Sequence, residues 1–173
     1  MPKVHTTKAR IDGPKACPQA KAGQVYYWWR TRMKGARSGI TRCSLTYPKP
    51  SQLTMSEFWG AVYSLQEAIE SDGPFEDAAD LALARDQWAE QARDIGAEQE
   101  DKLNNMPEGL QEGDAGQLLQ ERAEACETWA DEIEAVTIPE WEDFEDSGRG
   151  TEEFLLALED ALQEIASLQP ACD

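Results

Sequence analysis

Histidine is almost missing from this sequence: His5 is the only one in 173 residues. It stands in the opening MPKVHTTKAR, which predicts a flexible tail, so Ser/His/Asp or Cys/His nucleophilic catalysis has no base to build on. Neither CxxC nor HxxxH spacing occurs, and zinc sites normally declare themselves by such close pairs. His5, Cys17 and Cys43 fall in one region but lack a fourth ligand. Neither standard phosphate-binding glycine loop is present, nor a helical Glu-x-x-His that would build a carboxylate-bridged metal centre. The expectation is a protein that is not an enzyme and carries no cofactor or metal.

Long apolar runs are missing too. No stretch approaches the roughly 20 residues that a membrane span needs, and the basic start leads into no apolar segment, so no secretory signal is expected. The four cysteines are then expected to be reduced thiols rather than a disulfide framework. Bases are scarce after residue 50. Residues 51–173 carry five Lys/Arg against 33 acids, a net of −28, whereas residues 1–50 carry eleven Lys/Arg against one acid, Asp12, a net of +10. The overall charge of −18 hides this asymmetry, which marks two modules: a basic β-hairpin module over 1–50 and an acidic α-helical domain over 51–173.

Val25 to Met33 (VYYWWRTRM) is rich in aromatic and β-branched residues suited to a strand. Alternation puts Val25, Tyr27, Trp29, Thr31 and Met33 on one largely apolar face, and Tyr26, Trp28, Arg30 and Arg32 on an aromatic and cationic one. Lys34 to Gly39 supplies a turn, and Ile40 to Leu45 the returning strand. A lone hairpin is marginal in water and needs a third strand, a helix or a metal. The preceding segment with Gly13-Pro14, Cys17-Pro18 and Gly23 predicts irregular loop. Tyr47-Pro48-Lys49-Pro50 predicts a stiff linker.

Thr54-Met55-Ser56-Glu57 matches a capping box, and a helix is expected over about Met55 to Glu70, with Met55, Phe58, Val62, Leu65 and Ile69 on one stripe. A second, from Phe75 to about Asn105, has Leu81, Trp88 and Ile95 at intervals of seven, a sparse heptad pattern. A third runs from about Gln117 to Ala135, with Leu119, Arg122, Cys126, Trp129, Ile133 and Val136 as its stripe. Glu140 to Gly150 predicts an acidic loop holding Trp141 and Phe144, and a last helix starts near Thr151. The second and third should pair antiparallel. The fold class is thus mainly α, a small β-hairpin module followed by an acidic antiparallel helical bundle or coiled coil. Homodimerisation is expected, because narrow apolar stripes are often buried between chains. Cys126 falls on a stripe and predicts a small core residue; Cys172, beside the terminus, is expected to be exposed.

Two surfaces are candidates for binding. Single-stranded nucleic acid is held by aromatic rings that stack on bases and by cations that follow the backbone. Tyr26, Trp28, Arg30 and Arg32 offer both, and Lys34, Arg37 and Arg42 extend the cations toward phosphates. The same residues also suit cross-strand packing with cation–π contacts. On the second helix Asp86, Glu90, Asp94, Glu98 and Asp101 form a carboxylate stripe that can imitate phosphates and meet a basic protein, with Glu121, Glu124, Glu127, Asp131 and Glu134 adding to it on the third. The plainer reading of such stripes is a solvated helix surface.

Gly23-Gln24-Val25-Tyr26-Tyr27-Trp28-Trp29-Arg30, then Gly35, then Ser44-Leu45-Thr46-Tyr47-Pro48-Lys49-Pro50-Ser51-Gln52-Leu53-Thr54 resembles a pattern, YYWW…G…SLTxPKxSQLT followed by acidic helices, found in a group of small tailed-bacteriophage proteins. Lys8-Ala9-Arg10 also fits, and the resemblance spans roughly residues 8–70, departing at Cys17-Pro18 and at the Arg37–Thr41 turn. It implies a phage origin and action in the host cytoplasm, and brings no activity with it. The expected function is a non-catalytic phage accessory protein whose basic module contacts nucleic acid, single-stranded by preference, while the acidic helices mediate assembly. The alternative is an inhibitor of a host defence, nuclease or transcription protein acting through DNA-like acidic helices.

Overall fold

The aromatic run forms the middle strand of a three-stranded antiparallel sheet, one strand more than a hairpin. The structure, a computed structural model, describes residues 2–32, 37–146 and 150–172. Its strands are β1 (Val4–Lys8), β2 (Val25–Thr31) and β3 (Ile40–Ser44), in the order β1-β2-β3. β1 is the segment expected to be a tail. Its Val-His-Thr-Thr-Lys run pairs along β2 from Val4 opposite Trp29 to Lys8 opposite Val25, which supplies the third strand that a marginal hairpin lacks. Among the described residues seven helices follow: α1 (Pro50–Leu53), α2 (Glu57–Ser71), α3 (Ala78–Asn104), α4 (Glu108–Gln111), α5 (Asp114–Ala135), α6 (Trp141–Asp146) and α7 (Thr151–Ser167). The chain is mainly helical and divides into two compact units, residues 1–64 and 65–173. Among the described residues no helix is long and apolar enough to cross a membrane.

In the first unit both faces of the sheet are covered. The stretch from Ala9 to Gln24, expected to be irregular, is tightly bonded: Ala9 N–H donates to Gln24 O, Gly13 N–H to Ala20 O and Cys17 N–H to Pro14 O, each at 2.8 Å. Asp12 Oδ1 accepts from the Ala22 N–H at 2.6 Å, and Gly13 and Gly23 adopt the positive φ of 60° and 83° that the turns demand. The loop packs Ala9, Cys17 and Ala20 onto Tyr26, with Trp28 and Cys43 partly buried against them. On the other face Trp29 is buried and its indole N–H donates to Gln52 O of α1 at 3.2 Å.

α2 begins at Glu57, two residues later than expected. Gln52 Oε1 accepts from the Lys49 N–H, so Lys49 to Leu53 closes a turn of its own. Thr54 is then extended and its hydroxyl accepts from the Ser56 N–H. Ser56 is the cap, its Oγ taking the Trp59 N–H at 3.3 Å. Met55 therefore lies outside the helix and is exposed rather than on the apolar stripe.

The second unit is built on α3 and α5. They run antiparallel: Arg85 Nη1 donates to Val136 O, Arg93 reaches Asp131, and Gly96 faces Ala123 and Cys126. Leu81, Trp88, Ile95, Cys126, Trp129, Ile133 and Val136 are buried. Ala89, Ala92, Ala123 and Ala130 are buried along the two helices, which approach closely at Gly96: a Cβ there would stand 3.0 Å from that of Cys126 and 3.2 Å from Ala123 O. The expected acidic loop is interrupted by α6, whose Phe144 packs edge-on against Phe154 of α7 at 5.5 Å. Cys126 is fully buried and its thiol is pushed up to about 12, first by burial and then by Cys172. Cys172 is half-buried beside it rather than exposed: the chain after α7 packs back on the unit, with Pro170 buried.

Arg93 ties the helix pair together. Its guanidinium donates to Glu134 at 2.6 and 3.0 Å, to Asp131 at 2.9 Å and to Glu127 at 3.3 Å, so three of the acids expected on an open face of α5 hold a cation. These bonds to Arg93 lower the Glu134 pKa below its ordinary 4.5. A lowered folded-state pKa contributes stability above the ordinary value and loses it as pH falls through the folded one. Protonating the unit's many other carboxylates relieves repulsion and acts the opposite way, so the comparison must be with a variant. The thermal-melt gap between wild type and Arg93→Met should be present at pH 7 and close as pH falls below about 4.5; a gap independent of pH would show that the ion cluster contributes nothing.

Candidate nucleic-acid interface

Sheet register decides which cations and rings share a face. Side chains alternate along a strand, and Trp28 stands opposite His5 on β1 and Cys43 on β3, whereas Trp29 stands opposite Val4 and Arg42. Arg42 therefore belongs to the face opposite to that of Tyr26, Trp28 and Arg30. Arg37 is exposed on the turn, and Lys34 lies outside the described residues.

The two rings of the expected stacking face are engaged in packing. Tyr26 is 5% exposed and cannot offer a ring face without displacing the loop above it. Trp28 is half-buried, stacked on His5 with centroids 4.3 Å apart and planes 13° from parallel, and its indole N–H donates to Thr7 Oγ1 at 3.1 Å. The loop is what covers them, and no periodicity in it announces that it folds back on the sheet. Cys43, in the same cluster, has its thiol pushed up to about 11 by burial and then by a hydrogen bond with Cys17, so it stays protonated at neutral pH. Among the described residues no group of three or more His, Cys, Asp or Glu is placed to hold a metal ion.

Arg30 and Arg32, at the end of β2, instead open onto a cleft of about 420 Å³ whose other walls come from Pro2, Thr31, Leu53, Thr54, Met55, Trp59 and Tyr63. The Arg30 side chain lies over Gly39, where an added Cβ would come within 2.6 Å of Thr31 O and 3.0 Å of the Arg30 stem; glycine there lets the turn approach. Trp59 and Tyr63 are one helical turn apart on α2 and stack with centroids 5.7 Å apart and planes 29° from parallel. Phe58 backs Trp59 edge-on at 5.2 Å. Because Phe58 and Val62 point inward, the next residue along falls about 100° round the helix, which turns Trp59 and Tyr63 toward the cleft's open side. Both are half-buried, so each keeps some ring surface for a ligand.

The geometry thus keeps the two arginines of the expected site and joins them to aromatics that the sequence reading passed over. The usable signal was an i, i+4 Trp/Tyr pair beside the apolar stripe of the first helix after the basic block. On α3 the stripe Asp86, Glu90, Asp94, Glu98 and Asp101 is exposed throughout, with Asp86 Oδ1 accepting from Arg85 at 2.7 and 3.0 Å. No family model, curated protein or solved structure matches the chain.

Proposed function

We propose that this is a non-catalytic nucleic-acid-binding accessory protein whose basic unit takes single strands in the cleft formed by Arg30, Arg32, Trp59 and Tyr63. The observation that carries the reading is the convergence, on one open cleft, of two guanidinium groups with a stacked aromatic pair. A base has a π-face for the rings, and its phosphates suit the arginines. Double-stranded nucleic acid keeps its bases stacked inside and offers the rings nothing, so a preference for single strands follows. The basic surface around the cleft, eleven Lys/Arg against two acids in residues 1–64, adds sequence-independent attraction. The YYWW…SLTxPKxSQLT resemblance favours a phage protein working in the host cytoplasm, with the acidic helices serving assembly.

A second reading has one observation in its favour. Five exposed carboxylates on α3 recur every three or four residues, about 6 Å along the axis, a spacing fit to occupy a phosphate-binding groove of a basic host protein. The two readings separate in a fluorescence-anisotropy titration with labelled single- and double-stranded oligonucleotides at about 50 and 200 mM salt. Single-strand binding that is the tighter of the two and falls steeply with salt is expected. Binding to neither form would defeat the first reading and leave the acidic stripe to be tested against host proteins.

A further inference from the structure

A second open groove lies in the acidic unit, between the turn that ends α2 and one side of α7. It encloses about 690 Å³ and has an apolar floor of Phe75, Leu158 and Leu162, with Leu155 and Leu156 as its outer lip. Leu156 is 60% and Leu155 37% exposed, although neighbouring positions of the same helix, Phe154 and Leu158, are buried in the core. Glu70, Asp72, Glu76, Glu152 and Glu159 ring this floor, all exposed, and no base lines it. None of the five pairs with a base among the described residues.

From this groove we infer a docking site for a cationic amphipathic helix of another protein, its apolar side chains at i, i+3 or i+4, and i+7 seated on Phe75, Leu155 and Leu162 and its Lys/Arg flanks facing the five carboxylates. Helix-in-groove recognition needs an apolar trough long enough for two turns, with polar edges that fix orientation. Charge complementarity selects the occupant. A second copy of α7 would bring Glu152, Glu153, Glu159, Asp160 and Glu164 against an acidic rim, with no base in the helix, and like charges in apposition oppose docking. This chain's own basic residues do not supply a helix of the required kind: α1 has four residues and α2 carries no Lys or Arg. The site is separate in sequence from the cleft at Arg30 and Arg32 and does not depend on nucleic-acid binding.

The test uses the full chain and a labelled synthetic Leu/Lys helix of about 18 residues, five turns, beside a control peptide of equal charge in which every leucine is serine. Expected is binding of the Leu/Lys peptide at least about tenfold tighter than the control, with Leu155→Ser/Leu156→Ser abolishing that difference. Because both leucines are exposed, this variant should melt as wild type does and keep its oligonucleotide binding, whatever that is. Glu152→Gln/Glu159→Gln should weaken the peptide and flatten its salt dependence. Equal binding of the two peptides would overturn the proposal, since charge alone would then explain it. So would light scattering that finds a dimer which Leu155→Ser/Leu156→Ser splits into monomers, since a second copy would then occupy the groove.

Discussion

Replacing Trp129 with alanine is expected to destabilise the helical unit by about 3–5 kcal/mol, the usual cost of emptying a large aromatic site in a core. Trp129 is wholly buried on α5 and is the largest fully buried side chain among the described residues. The neighbouring helix is held at close range where Gly96 meets Ala123 and Cys126 of α5, so the helix pair has little means of collapsing into the space. Its indole N–H has no partner among the described residues, and a buried unpaired donor costs about 1–3 kcal/mol. Trp129→Phe removes that donor together with part of the volume, so the two changes offset, and the phenylalanine variant should lose much less than the alanine variant. Urea denaturation followed by far-ultraviolet circular dichroism reads both. An alanine variant within about 1 kcal/mol of wild type would mean that α3 and α5 do not close on this side chain as described.

The second large effect concerns the arginines. Arg30→Glu/Arg32→Glu should lower single-strand affinity at least about tenfold at 50 mM salt, because it replaces two phosphate contacts with two repulsions. The neutral pair Arg30→Ala/Arg32→Ala should reduce the slope of log K against log salt by about 1.4, at about 0.7 per phosphate contact on a single strand. Arg37→Ala and Arg42→Ala, at two positions that do not line the cleft, should leave that slope nearly unchanged. If all four arginines act alike, binding follows net charge and the cleft has no special part in it.

The helices were legible because their signals are periodic. Leu81, Trp88 and Ile95 are buried as their spacing of seven implies, and α3 and α7 begin within a few residues of the expected places. The faces of β2 were legible only in part. Alternation correctly placed Trp29 and Thr31 in a buried row, but it says nothing of what lies over the opposite face. That cover comes from Ala9 to Gln24, whose small residues Ala9, Cys17 and Ala20 carry no period and whose shape depends on turns closed by Gly13, Gly23 and Asp12. The third strand escaped notice for a related reason: Val-His-Thr-Thr-Lys is too short and too polar to announce a strand, and it forms one because β2 offers it an unpaired edge. In the candidate site the arginines were visible as an excess of charge at the end of an aromatic strand. Their aromatic partners were not, since Trp59 and Tyr63 reach them only through the turn at Lys49 to Ser56, and a long-range meeting of that kind leaves no local mark in the sequence.

The most direct measurement is an anisotropy titration of a labelled oligothymidine of about 15 nucleotides, within the usual range of single-strand sites, against Trp59→Ala and Trp28→Phe in parallel. Stacking is worth about 1–3 kcal/mol per base, so Trp59→Ala should weaken binding by about 5- to 150-fold. Trp28→Phe keeps a ring over His5 and should bind as wild type does. A loss confined to Trp28→Phe, with Trp59→Ala unchanged, would contradict the assignment and return the binding surface to the strand face beneath the loop.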